Sequence, residues 1–219
     1  MIYGHKYTIN LKGKIKMVKI TDLIELDKVF GDIRKYFAYS LSQSAFKGGN
    51  IVECGVFKGS TINHLADLVN PQIVYGFDSF EGLPEAWERG GDKETIPAGF
   101  FATKEMPKVK KNVQLIKGWF KDTLPKWAAE NTQPLSLLHL DCDIYSSTLD
   151  ALVLLNSIIK PGTVIILDDV YSWQDEEDYA YWRRGQWKAL REWMRDYSRD
   201  VEAVSRLNRR SSAAILVTD

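Results

Sequence analysis

A chain of 219 residues is long enough to bury a full hydrophobic core as one domain of the larger sort. Lys plus Arg number 29 and Asp plus Glu number 29, so no net field draws the chain to nucleic acid or to an anionic membrane. The hydrophobic fraction of 45% is that of a soluble globular protein, and apolar runs such as Ala151–Leu155 and Val164–Leu167 are too short to span a bilayer.

The first residues carry lysines but no apolar signal core, so a cytoplasmic location is expected. Cys54 and Cys142 do not make a disulfide framework and are expected as reduced thiols. Residues 1–20 alternate loosely and suggest a short hairpin or an arm. Thr21 opens a helix predicted to reach about Phe46, with Leu23, Ile24, Leu26, Val29, Phe30 and Ile33 at helical spacing.

The repeating part follows. Ile51–Cys54 reads as a strand, Gly55–Gly59 as a turn, Ser60–Val69 as a helix and Ile73–Asp78 as a second strand. Residues 79–112 form a long segment rich in Gly and Pro, of the kind that serves as a lid or binding loop. Val113–Ile116 is a third strand. The spacing predicts a helix from Thr123 to about Asn131, with Pro125 in its first turn.

Leu135–Leu140 is the fourth strand, Thr148–Ile159 its crossover helix and Thr163–Leu167 the fifth strand. Residues 170–184 are aromatic and acidic. Gly185–Tyr197 is an amphipathic helix with Trp187, Leu190, Trp193, Met194 and Tyr197 on one face. Val201–Leu207 and Ala213–Val217 read as an antiparallel hairpin. Alternating strands and helices give an α/β sandwich around a mostly parallel sheet.

The chemistry gathers at strand ends, where open α/β sheets bind their ligands. The fourth strand ends in Asp141-Cys-Asp143 and the fifth in Asp168-Asp169. Carboxylates packed that closely repel unless protons or a cation intervene. Asp141, Asp168 and Asp169 are hard oxygen donors that suit Mg²⁺, Ca²⁺ or Mn²⁺ better than zinc. Each alone could be a helix cap. His139, inside the apolar strand, reads as a packed core imidazole. Glu53-Cys-Gly55-Val-Phe-Lys-Gly59 places a glycine turn before a helix N-terminus, and Asp78 stands 19 residues after Gly59, where an acid can accept from ribose hydroxyls. Phe57 takes the place of the second glycine of the dinucleotide fingerprint, so a nicotinamide cofactor is disfavoured.

Together with Gly76-Phe-Asp78-Ser-Phe-Glu-Gly82-Leu-Pro84, Gly118-Trp-Phe-Lys-Asp-Thr-Leu-Pro125, Leu140-Asp-Cys-Asp-Ile-Tyr-Ser-Ser-Thr148 and Leu167-Asp168-Asp169, this turn resembles the macrocin O-methyltransferase family over about 50–187. The resemblance implies a Rossmann-like class I methyltransferase sandwich with a seven-stranded, mostly parallel sheet. It also implies S-adenosylmethionine, Mg²⁺ and a sugar hydroxyl acceptor on a glycosylated small molecule. Glu53, Gly55 and Ser60 would then lie at the amino-acid end of the cofactor, Asp78 and Ser79 at its ribose, and Gly118 and Trp119 at its adenine. Asp141 would border the cofactor and, with Asp168 and Asp169, hold the metal. Asp143 would be the general base. Residues 1–49 would cap the site or contact a second copy, giving a homodimer, and 50–219 would form the catalytic domain.

Lys104, Lys108, Lys110, Lys111, Lys117 and Lys121 read as a solvated basic face. Trp173, Tyr179, Tyr181 and Trp182 would either stack on an acceptor or line a subunit interface. The rival functions are methylation of a non-sugar hydroxyl and non-catalytic nucleoside binding on the same fold. No partner among nucleic acids or membranes is expected.

Overall fold

Side chains alternate across a strand, and the central strands sort theirs into two cores. The computed structural model describes residues 18–91, 93–172, 180–208 and 211–219. Its strands are β1 (Val29–Phe30), β2 (Asn50–Cys54), β3 (Val74–Asp78), β4 (Val113–Lys117), β5 (Leu135–Leu140), β6 (Val164–Leu167), β7 (Val201–Leu207) and β8 (Ala213–Val217). They form one sheet in the order β1-β7-β8-β6-β5-β2-β3-β4. β8 runs antiparallel to both β6 and β7, and the remaining pairs are parallel.

The helices are α1 (Ile20–Ile24), α2 (Ile33–Ser42), α3 (Ser60–Val69), α4 (Phe120–Glu130), α5 (Tyr145–Leu154) and α6 (Gln186–Asp196). On one face of the sheet, Val52, Leu138, Leu140 and Leu167 pack with Trp127, Leu152 and Trp193 of α4, α5 and α6. On the other, Ile51, Leu137 and Ile166 pack with Tyr36, Phe37, Ile62 and Leu65 of α2 and α3. β5 is buried along its whole length. The chain leaves β2 toward β3 on one side and later sets β5 against its other side, so the strand order reverses between β2 and β5. A ligand crevice belongs at such a point. No described helix is long and apolar enough to cross a membrane.

Several predicted boundaries moved. The single helix expected over 21–46 is two helices with β1 between them. Asp32 caps α2 by accepting from the Lys35 N–H at 2.9 Å, and Val29–Phe30 joins the sheet beside β7 as an eighth strand. A β-branched and aromatic pair favours a pleated edge over a helix turn. Helix α4 starts three residues earlier than expected, its first turn closed by the Asp122 and Thr123 N–H groups on the Trp119 carbonyl at 3.0 and 3.1 Å. Pro125 therefore lies beyond the first turn, where it cannot donate to the carbonyl four residues back. Helix α5 also starts early, at Tyr145, directly after a tight turn. The segment 79–112 is less irregular than its composition suggests: Leu83 pairs with Gly99 and Phe100, and Trp87 bridges Ile96. Of the arm predicted over 1–20, residues 1–17 lie outside the described residues, as do Trp173 and Tyr179.

Candidate active site

The crevice is built first by backbone. Gly55 follows β2 with φ +92°, and its N–H donates to the Phe77 carbonyl at 2.9 Å. A Cβ on Gly55 would sit 1.8 Å from the Asp141 carbonyl oxygen, so glycine is required here by the neighbouring strand end itself. The Asp141 N–H in turn donates to Cys54 at 2.9 Å. The first glycine turn and the first acid are thus locked together.

Asp78 closes β3 and pins that same turn. Its Oδ2 accepts from the Val56 and Phe57 N–H groups, both at 2.8 Å, and its Oδ1 accepts from Phe80 at 2.7 Å. These bonds hold Phe57 at φ +48°, with its ring edge-on to Phe101 at 5.3 Å. Ser79 accepts from the Glu81 N–H at 3.0 Å. Gly118, at φ +142°, ends β4 and leads to Trp119, which is 36% exposed.

Gly55, Asp78, Ser79, Gly118, Trp119 and Asp141 all line one cleft. Two residues expected at the cofactor do not line it. Ser60 is the exposed first residue of α3. Glu53 is 0% exposed, with Oε1 accepting from the Thr61 hydroxyl at 2.9 Å and Oε2 lying 2.9 Å from His139 Nδ1. The cleft also includes Phe57, Leu83, Pro84, Phe101 and Ser147, which sequence reasoning missed. Apolar loop residues carry no chemical signal until the fold turns them inward.

The acids gather at the ends of β5 and β6, and of them Asp141 and Asp143 line the cleft. Asp141, Asp143 and Asp169 can each place one oxygen within 4.8 Å of the others, and so can Asp141 and Asp168 with a His139 nitrogen. Asp141 belongs to both sets, whereas Asp168 and Asp169 fall into different ones, as consecutive side chains at a strand end point to opposite sides. Asp143 sits at φ +59° in a three-residue turn closed by the Ile144 N–H on the Cys142 carbonyl at 2.6 Å.

Burial and the neighbouring Asp168 hold the Asp141 carboxyl well above the usual carboxylate range. Burial and Asp141 push Asp143 up to about 8. A buried cluster of carboxylates that resists ionisation lacks positive charge, and its oxygen donors suit a hard divalent cation. His139 meets part of that need. Burial alone would lower its pKa, yet Asp168 and Glu53 on either side raise it well above the ordinary imidazole value. Its ring is also edge-on to Phe37 at 5.2 Å, so it is both packed and polar.

Gln186 is a further residue that the sequence concealed. Fully buried, it donates to the Leu140 carbonyl at 3.1 Å and accepts from the Asp169 N–H at 2.9 Å. It thereby joins the ends of β5 and β6 to the start of α6. The available signal was a polar residue four positions before Leu190, on the apolar face of that helix.

The segment after β3 is tied to α5 and to the stretch before α6. Ser146 donates to Glu85 at 2.6 Å, and the Tyr181 N–H donates to the Arg89 carbonyl at 2.9 Å, its ring against Gly90. Trp182 is 4% exposed and packs edge-on to Trp187 at 6.2 Å, so it is a core residue and not an exposed platform. Within the basic stretch, Lys110 pairs with Asp67 at 2.9 Å and Lys121 with Asp150 at 3.4 Å.

Known proteins share this fold. The solved calicheamicin methyltransferase CalS11 superposes with a TM-score of 0.62 at 21% identity, covering 90% of this chain and 79% of that one. The mycinamycin-pathway methyltransferase MycE, solved in complex with Mg, SAH and mycinamycin VI, gives 0.52 at 14% identity, covering 84% and 48%. These likenesses fix the fold as that of class I methyltransferases. In sequence, the 8-demethyl-8-(2,3-dimethoxy-alpha-L-rhamnosyl)-tetracenomycin-C 4'-O-methyltransferase of Streptomyces olivaceus is 32% identical over 144 residues, 55% of this chain and 52% of that protein. The chain spans about half the length of the curated relatives it matches. The macrocin-O-methyltransferase (TylF) model matches residues 41–186, from the end of α2 to the first residue of α6. That span encloses the glycine turn, Asp78 and all the acids of the cleft, and the chain belongs to the macrocin O-methyltransferase (TylF) family.

Proposed function

We propose that this chain is an O-methyltransferase that uses S-adenosylmethionine and Mg²⁺. Its acceptor is a hydroxyl on a sugar or glycosylated small molecule, in natural-product or polysaccharide biosynthesis. The observation that carries this reading is one cleft with a glycine turn pinned by Asp78 on one wall and Asp141 and Asp143 on the other, with Asp168 and Asp169 clustered behind Asp141. The rhamnosyl acceptor in the tetracenomycin relative's name supports the acceptor class, and the Mg and SAH in the MycE complex support the cofactors.

Each residue then has a task. Asp78 already accepts three backbone N–H groups, and a carboxylate has about four acceptor positions, so it can take one ribose hydroxyl as well. Trp119 offers an exposed ring face to the adenine. Asp141, Asp168 and Asp169 hold the metal, and Gln186 steadies the Asp169 backbone. A bound divalent cation supplies acidity and a fixed orientation to a coordinated hydroxyl. Asp143, at about 8 in the metal-free site, is suited to take the acceptor proton near neutral pH. As the acceptor oxygen bonds to the methyl carbon, the carbon–sulfur bond breaks and the proton passes to Asp143. Holding the two substrates in contact in one cleft supplies the proximity contribution.

The N-terminal region supports a homodimer, since Ile24 and Val29 are 43% and 37% exposed on the α1–β1 edge of the sheet. A cytoplasmic location fits the free thiols of Cys54 and Cys142. The test is mass spectrometry of labelled methyl transfer from S-adenosylmethionine to rhamnosyl glycosides, free sugars and catechols, with Mg²⁺ or EDTA. Labelled glycoside with Mg²⁺ and none with EDTA is expected. Labelling of catechols alone would replace the acceptor class.

A further inference from the structure

The acid wall has a buried backing that the reaction just described does not use. Glu53 on β2 is in register with His139 on β5, and His139 is in register with Ile166 on β6, two residues before Asp168. The period of two along each strand therefore sets Glu53, His139 and Asp168 on the same face of the sheet. Their side chains form a row that starts in the first turn of α3. Thr61 donates to Glu53 at 2.9 Å, Glu53 faces His139 Nδ1 at 2.9 Å, and His139 Nε2 lies 3.7 Å from Asp168 Oδ1. The side chains of Glu53 and His139 are 0% exposed, while that of Asp168 is 20% exposed.

The Nε2 atom of His139 is buried without a hydrogen-bond partner, because 3.7 Å is longer than a hydrogen bond allows. We propose that His139 is the positioning residue of the metal site: held by Glu53, it points Nε2 at Oδ1 of Asp168 and fixes the angle of that carboxylate toward the cation. This rests on the metal-binding reading given above. Held by Glu53 on one side and turned to a carboxylate oxygen on the other, His139 is a partner of the ligand set and not a member of it. Such outer partners fix the angle of a ligating carboxylate, and losing them typically costs about 10–100-fold in metal affinity.

The test uses Mn²⁺ and the full chain. Electron paramagnetic resonance of free Mn²⁺ gives its affinity, and pulsed measurements report any directly bound nitrogen. The wild type is expected to bind Mn²⁺ with no directly bound nitrogen. His139→Gln is expected to bind it about 10–100-fold more weakly while retaining its affinity for S-adenosylhomocysteine, which a general loss of structure would also reduce. Glu53→Gln keeps the shape and the Thr61 contact, and its Mn²⁺ affinity is expected to fall by about 10-fold although Glu53 touches no ligand position. It decides the matter if His139→Gln does not fold. Variants that bind Mn²⁺ as tightly as the wild type overturn the proposal and leave the metal site standing, and so does a directly bound nitrogen. A wild type that binds no Mn²⁺ overturns the metal site itself and this role with it.

Discussion

The two walls of the cleft differ in how complete they are. At the Asp78 wall, one carboxylate meets three backbone N–H groups. At the Asp141 wall, carboxylates face one another, and burial pushes Asp143 up to about 8. The first wall is held together by the fold. The second is held apart from its own charge and is completed from outside. Removing an acid should therefore have opposite effects on stability at the two walls, although both removals damage function.

The largest effect is expected at Asp143. Asp143→Asn should lower the rate of labelled methyl transfer by about 10²–10⁴-fold, the usual contribution of a positioned base. Added Mg²⁺ should restore none of it. Recovery at high Mg²⁺ would make Asp143 a ligand, a role its place beside Asp141 and Asp169 also permits. The same variant should melt higher than the wild type in EDTA at pH 8, because one member of a repelling set has gone.

Asp78→Ala should do the reverse. Leaving backbone donors without an acceptor costs about 1–3 kcal/mol in unfolding free energy. Chemical denaturation with and without Mg²⁺ should show an equal loss. A loss seen only without Mg²⁺ would mean that the walls are not independent.

A pH series sharpens the same contrast. The folded-state pKa of Asp143, about 8, lies above its unfolded value of about 4. Below about pH 4 both states hold the proton. From there to about pH 8 the folded state holds a proton that the unfolded state has lost, so stability declines as pH rises. Thermal melts in EDTA should fall across that window, Mg²⁺ should raise them most at its upper end, and Asp143→Asn should flatten the decline. A metal-free melting temperature that climbs from pH 5 to 8 would contradict the assignment.

The smallest effect belongs to the tie between the loop and the crossover helix. Ser146→Ala removes the bond to Glu85 and should cost about 0.5–1.5 kcal/mol locally. Faster hydrogen exchange around Glu85 with unchanged exchange in β5 is the expected result.

The contrast between the walls also explains what the sequence disclosed. Asp141, Asp143, Asp168 and Asp169 follow apolar strands, and a run of four to six buried residues ending in an acid is legible without a structure. The residues that serve the fold around them were not. The family resemblance put Glu53 at the cofactor, whereas strand register turns it toward His139. Gln186 stands 17 residues from Asp169 in sequence, and only the return of α6 brings its amide to that backbone. The early starts of α4 and α5 rest on first turns closed by backbone N–H groups on the Trp119 and Ile144 carbonyls, which periodicity of apolar residues does not record. The split of the N-terminal helix has the same origin, since β1 exists only because β7 lies beside it.

The tight turn at Asp143 restricts which amino acids that site can inherit. With φ at +59°, the backbone accepts glycine, asparagine or aspartate far more readily than longer or branched side chains. Aspartate is the only one of those three with an ionisable group. A glutamate, chemically equal as a base, would strain the turn and overshoot the position by a methylene. The chain path after β5 thus favours the shorter acid at 143 before any reaction takes place.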